Sequence, residues 1–260
     1  AVVPYRGFYA TAYGYVDDDI PADLYYCCLD GNWNDDGDGN WGEDGEDDLY
    51  AELSIGRICT DNVTEIQNFT NKLYLYQNEP VIEDIEKALF VGENLWPGIY
   101  GKMYKEEVRY GSSNHGYTTV GLSDNFTCET LYEQDGDWTP SQLYNNFNTT
   151  GVNLLNHLGH SDVTYNMTIY NSDVNTTNFQ NDGITRGLVI EYTQGCYCGS
   201  FDNRNTGGSH GSTDCFGEAI TGLETGEVAF IGNSRYGWGD TGGTNGSSQY
   251  YDREFFDAIF

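Results

Sequence analysis

The chain has 260 residues, with 11 Lys and Arg against 41 Asp and Glu, for a formal charge of −30. A surface this rich in carboxylates repels phosphate, which excludes nucleic acid and disfavours anionic membranes, and no apolar run reaches the roughly 18–20 residues that span a bilayer. With 38% hydrophobic residues, including 22 Tyr, 12 Phe and 5 Trp, the chain can bury a sizeable core, so disorder is excluded for most of it.

Taken in order, residues 1–48 read as loop-rich, and Asp30 to Asp48 is dominated by Asp, Asn and Gly. Asn34, Asp36 and Asp38 followed by Gly39 reproduce the opening of an oxygen-rich calcium loop, but Gly45 stands where an EF-hand has its closing Glu. Asn40 and Glu43, or Glu46, are the candidates to complete the sphere; packing so many carboxylates together favours a cation. The alternative is a solvated acidic loop. Leu49 to Ile58 alternates in part and reads as a strand. Thr64 to Gln77 carries Ile66, Phe69, Leu73 and Tyr76 at helical spacing, with Thr64 and Gln67 placed as a capping box and Pro80 as the stop. Ala88 to Gly92 is a short buried strand, and Thr139-Pro140 opens a helix that runs to about Phe147.

Val152 to Asn156, Leu188 to Thr193 and Val228 to Ile231 are apolar runs of strand length, with helical segments at Asp214 to Leu223 and from Gln249 to the end. Buried strands alternating with helices predict a mostly parallel sheet covered on both faces, an α/β three-layer sandwich. Sites in such sheets lie beyond the carboxyl ends of the strands. Beyond the first of these runs stands His160, and beyond the second Cys196, 36 residues later. An imidazole and a thiol at the ends of adjacent strands suit nucleophilic catalysis, and the glycines before each free backbone N–H groups for an oxyanion. The competing readings are core packing of both residues, or a zinc site from His157, His160, Cys196 and Cys198. Offsets of three on an extended segment point to opposite faces, which argues against zinc. No organic cofactor is implied.

Seven cysteines leave one unpaired at most three bridges; Cys27-Cys28 cannot easily bond to each other, and pairings of Cys59, Cys128 or Cys215 stay open. Sequons start at Asn62, Asn68, Asn125, Asn148, Asn166, Asn175 and Asn245. Together with the acidity and scarce Lys, they predict an exported, extracellular or cell-surface glycoprotein. No signal peptide is present, and Ala1 to Pro4 read as the exit from a strand, so a processed piece of a longer precursor is expected. A companion fragment of that precursor, or other subunits, is expected to cover the bared sheet edge.

The segments Gly151 to His160 and Glu191 to Asp202 resemble the two catalytic motifs of the gingipain-type cysteine peptidases. Cys215 to Ala219, Val228 to Trp238, Asp30 to Glu43 and Tyr50 to Arg57 also resemble that family, in order along nearly the whole chain. The resemblance implies a caspase-like fold whose first part is missing here, with residues 1–85 ending a first α/β subdomain and residues 86–260 forming the catalytic subdomain. It implies a secreted endopeptidase that acts on proteins or peptides through a thioester. By the same resemblance Cys196 is the nucleophile, His160 its partner and Glu52 the acid orienting it. The backbone N–H groups of Cys196 and Ser161 form the oxyanion hole, Ser161 replacing the family's usual Gly, and Trp238 walls the substrate pocket with Arg235 nearby. Two alternatives remain from other classes: a surface or assembly protein keeping this fold without turnover, and a calcium-dependent binding module.

Overall fold

The structure, a computed structural model, describes residues 3–260. Ala1 and Val2, where a strand exit is expected, lie outside them. The chain forms two compact units, one up to Asp61 and one from Asn62 onward.

The first unit opens with an antiparallel hairpin, β1 (Arg6–Ala12) and β2 (Tyr15–Ala22). Tyr13 and Gly14 both take positive φ, 52° and 84°, as a two-residue type I′ turn requires. After the single turn α1 (Leu24–Cys27), the acidic loop wraps Trp33, which is 2% exposed and stacks on Phe8 at 4.5 Å. Leu49 to Ile58 is not a strand. Its apolar residues Leu49, Leu53, Ile55 and Ile58 are exposed, and the N–H groups of Glu52 and Leu53 both reach the Cys27 carbonyl rather than a ladder partner.

The second unit begins with α2 (Val63–Asn78), capped by the Asn62 side chain, which accepts from the Glu65 N–H at 3.1 Å. The helix therefore starts before Thr64, and the box expected at Thr64 and Gln67 does not form. Buried Lys72 ties α2 to the sheet through the Thr221, Thr225 and Glu227 carbonyls. The second compact unit accordingly begins at the cap of this helix.

There follow α3 (Ile82–Ile85), β3 (Lys87–Gly92), the small hairpin β4 (Asn94–Trp96) and β5 (Ile99–Tyr100), then α4 (Gly101–Tyr110) and β6 (Thr127–Tyr132). Next come α5 (Pro140–Asn145), β7 (Leu154–Leu158), a second small hairpin of β8 (Tyr165–Asn166) and β9 (Ile169–Tyr170), β10 (Val189–Thr193), α6 (Phe216–Gly222), β11 (Glu227–Ile231) and α7 (Ser247–Ile259). Five strands form one parallel sheet in the order β11-β10-β7-β3-β6.

Alternation along the strands sends side chains to two cores. Leu89, Val91, Leu155 and Val189 pack against Leu143, Phe147, Phe216 and Ile220 on one face. Ala88, Phe90 and Leu154 pack against Val108 of α4 and Phe256 of α7 on the other. Fully burying each large apolar side chain contributes about 1.5–3 kcal/mol, so both faces of β3 and β7 must stay covered. The sheet thus has helices on both sides, the caspase-like three-layer arrangement.

Candidate active site

Three loops leave the carboxyl ends of the neighbouring strands β3, β7 and β10, and side chains tie them together. Glu93, one residue past β3, is 4% exposed. Its carboxylate accepts the backbone N–H of His160 at 3.0 Å and faces His157 Nε2 at 3.2 Å. His157 Nδ1 lies 2.8 Å from Thr193 Oγ1, which in turn accepts the Gly195 N–H at 2.9 Å. Glu93, His157 and Thr193 therefore fix the backbone at His160 and Gly195 relative to each other. Gly159 is required here, because a Cβ would overlap the Glu93 carboxyl and the His157 ring.

His160 itself is exposed, with Nε2 3.0 Å from the Leu95 carbonyl. A carbonyl only accepts, so Nε2 donates, and in the neutral ring Nδ1 is then the nitrogen with the lone pair. Cys196 is half-buried, and its sulfur accepts the Gly237 N–H at 3.4 Å. Burial pushes its thiol pKa up; the Gly237 amide opposes this and Asp162 adds to it. His160 and Cys196 line one cleft of about 410 Å3, open to solvent, together with Leu95, Trp96, Leu158 and Trp238. Cys198 is fully buried, its thiol raised by burial and by Glu191, which leaves Cys196 as the accessible sulfur of the pair.

Ser161 has no positive φ, so a serine in place of glycine is not strained. Its hydroxyl donates to Asn166 Oδ1 at 2.7 Å, and Asn166 Nδ2 donates to Glu191 Oε1 at 2.7 Å. Glu191 and Glu227 are both fully buried and raised by burial, Glu227 well above its ordinary value. The two carboxyls face each other, and their mutual hydrogen bond favours the charged form of Glu191 and the neutral form of Glu227.

Arg235 does not line the cleft. Its guanidinium is 6% exposed and grips Asp202 at 2.8 and 3.0 Å and Ser200 Oγ at 3.0 Å. The Arg235 carbonyl also accepts the Tyr197 N–H at 2.7 Å, where Tyr197 holds φ 58°. Arg235 thus clasps the loop after Cys196, and pairing to a buried carboxylate removes it from substrate contact. Asp202 is held below the usual carboxylate range, because Arg235 and Ser200 outweigh its burial.

Glu52 lies in the first unit, exposed, accepting the Leu29 N–H at 2.8 Å. Glu93 is the acid bonded to the His160 loop, and sequence reasoning missed it. The available signal was an acidic residue directly after an apolar strand, at the end of the sheet where sites form.

In the acidic loop, carboxylate oxygens of Asp36, Glu43 and Glu46 lie within 4.8 Å of one another. Glu46 Oε2 is buried without a partner. Glu43 is raised by burial and by Asp38 and Asp36. Three convergent hard oxygen donors fit calcium. Asn34 accepts from the Gly37 N–H and Asp38 from the Asn40 N–H, which places Asn34, Asp38 and Asn40 in the loop's own turns. Among the described residues no disulfide joins any two of the cysteines. Of the sequon asparagines, Asn62, Asn125 and Asn245 are exposed and Asn68, Asn148 and Asn175 partly buried. Asn166 is fully buried against Glu191, so the folded chain has no room for a glycan there.

A parallel caspase-like sheet presenting an imidazole and a thiol to one cleft defines the class of protein. The chain belongs to peptidase family C25, whose family model matches residues 1–260. Two solved structures resemble it: the Arg-specific cysteine proteinase gingipain R (RgpB), and the complex of Porphyromonas gingivalis RgpB pro- and mature domains. Each has a TM-score of 0.56 at 22% identity; the likeness covers 84% of this chain and 44% or 45% of the other. The chain thus spans less than half the length of these structures. No curated protein sequence matches it. Among the described residues no helix is long and apolar enough to cross a membrane.

Proposed function

We propose that this chain is the catalytic region of a secreted cysteine endopeptidase. The observation that carries the reading is the shared cleft: Cys196 and His160, from the ends of paired strands, open onto one space beside an apolar wall. His160 Nδ1 takes the thiol proton as Cys196 attacks the peptide carbonyl. The oxyanion rests on the backbone N–H groups of Cys196 and Ser161. His160 then protonates the leaving amine, and water, deprotonated by the same imidazole, hydrolyses the thioester. With its pKa raised, Cys196 rests as a thiol, so the base has to act during attack. Glu93, rather than Glu52, positions His160 by holding its backbone.

Calcium in the loop of Asp36, Glu43 and Glu46 is structural in this reading: it would offset two of the three carboxylate charges and hold the loop. The high acidity and the exposed sequons support export and glycosylation at Asn62, Asn125 and Asn245. A companion segment of the same precursor is supported by the RgpB complex of pro- and mature domains. Membership of a peptidase family weighs against a surface protein without turnover. The test is hydrolysis of a protein substrate by the parent and by Cys196→Ala. Loss of at least a thousandfold in the variant is expected; equal rates would remove the reading.

A further inference from the structure

The cleft beside Cys196 bears on which substrates are cut, an inference that rests on the peptidase reading above. In attack, the carbonyl carbon comes to about 3–3.5 Å from the nucleophile. The side chain of the residue supplying that carbonyl is two bonds away, and the cleft that Cys196 and His160 both line is the space it enters. We propose that this cleft selects an uncharged aromatic or large aliphatic side chain immediately before the scissile bond, and rejects Lys and Arg.

The walls are apolar. Leu95, Leu158, Trp96 and Trp238 line the cleft, and Trp96 keeps 38% of its surface exposed for contact. Gly237 and Gly239 leave room, and at neither can a side chain be added freely. A Cβ at Gly237 would overlap the Gln194 carbonyl, and one at Gly239 would press on the Trp96 ring at 3.2 Å. An aromatic ring entering here meets indole surface and backbone, the setting in which offset or edge contacts between rings add to simple burial.

The polar groups of the cleft are neutral apart from the reacting pair: Gln194 and Ser248. Two carboxylates stand behind the lining and both are committed: Glu93, bonded to the His160 N–H and facing His157 Nε2, and Asp252, one turn further along α7 than Ser248. The Asp252 side chain and that of Lys105 have no exposed surface and meet at 2.5 Å, and Asn156 Nδ2 donates to the second Asp252 oxygen at 2.6 Å. Gln194 Nε2 also donates to Asp252, so the amide stands between that charge and the cleft. Asp240 lies outside the lining, with Oδ1 accepting the Gly242 N–H at 2.8 Å; Asp162, also outside it, accepts the Val163 N–H at 2.8 Å. Arg235 is bound to Asp202. A Lys or Arg side chain entering the cleft loses water and meets no carboxylate in the lining, which is strongly unfavourable. An acidic side chain fares no better.

The test uses the parent protein and a set of irreversible thiol-directed peptide probes that differ only in the residue before the warhead: Phe, Tyr, Leu, Lys, Arg and Glu. Labelling of Cys196 by the Phe, Tyr or Leu probe is expected to be about 100-fold faster than by the Lys, Arg or Glu probe, in the range that pocket contacts give. Ser248→Asp adds a carboxylate to the cleft at the first turn of α7, where negative charge suits the helix. It should raise labelling by the Lys probe at least tenfold. Trp96→Ala, at a half-exposed site that leaves the core untouched, should slow the Phe probe more than the Leu probe. Lys or Arg probes matching or beating Phe on the parent would overturn the proposal and leave the peptidase reading standing. No labelling of Cys196 by any probe would overturn both.

Discussion

Glu93 is the residue whose removal separates positioning from chemistry, because its carboxylate reaches His160 only through the backbone. It accepts the His160 N–H at 3.0 Å and meets His157 Nε2 at 3.2 Å while 4% exposed. Glu93→Ala leaves two buried nitrogens without their partner and opens a small cavity. Breaking such a buried, charge-assisted set costs about 3–5 kcal/mol. Glu93→Gln keeps one amide oxygen for the His160 N–H. Its NH2 group can donate to His157 Nε2 once that ring shifts its hydrogen to Nδ1, which Thr193 Oγ1 can accept; the cost then falls to about 1–2 kcal/mol. Releasing the His160 loop by a fraction of an ångström should lower kcat about 10–100-fold in Glu93→Ala, with KM changed less than threefold. Glu93→Gln should recover most of that loss. Urea unfolding gives the stability change and steady-state peptide hydrolysis gives the split. If Glu93→Ala is as stable as the parent and retains kcat within twofold, the positioning argument fails. A loss confined to KM would refute it as well.

Three further outcomes follow from the same geometry. Because burial raises the Cys196 thiol, its alkylation by iodoacetamide should keep accelerating above pH 9, where an ordinary thiol levels off; a plateau near pH 8 would contradict the burial argument. Glu191 and Glu227 have folded pKa values above their unfolded ones, so their contribution is fully present below the ordinary carboxylate range of about 4 and is lost as pH rises through the raised folded values. Glu227→Gln should therefore flatten the fall in melting temperature towards alkaline pH, and an unchanged slope would show that the pair carries no such linkage. In low salt, EDTA should lower the melting temperature and calcium restore it, with Asp36→Asn and Glu46→Gln blunting the response; no shift in the parent removes the calcium site.

The central strands were legible because both faces of the sheet are covered. Ala88 to Gly92 is apolar throughout, Val152 to Asn156 and Leu188 to Thr193 are apolar apart from Asn153, Asn156, Glu191 and Thr193, and β3, β7 and β10 overlap those runs. Edge strand β6 was not, since Thr127, Glu129 and Thr130 face solvent and break the pattern. The hairpin of β1 and β2 hid behind Asp17 to Asp19, acidic residues that carry no strand signal. Leu49 to Ile58 misled in the opposite sense, because partial alternation says nothing about whether a partner strand exists. His160 and Cys196 followed from asking what stands beyond an apolar strand. Glu93 answers the same question for β3, yet a lone acid after a glycine has no spacing to mark it. That Arg235 is spent on Asp202 depends on loop geometry over 33 residues, which no local pattern encodes.

The account stands or falls on Cys196 as the nucleophile served by His160. Peptide mass mapping after treatment with a thiol-directed peptide probe tests this most directly, on the parent, His160→Ala and Cys196→Ala proteins. The account predicts one adduct on Cys196 in the parent, none on Cys198, and labelling slowed at least a hundredfold in His160→Ala. An adduct on another cysteine, equal labelling of His160→Ala, or peptide cleavage by Cys196→Ala at the parental rate would contradict it.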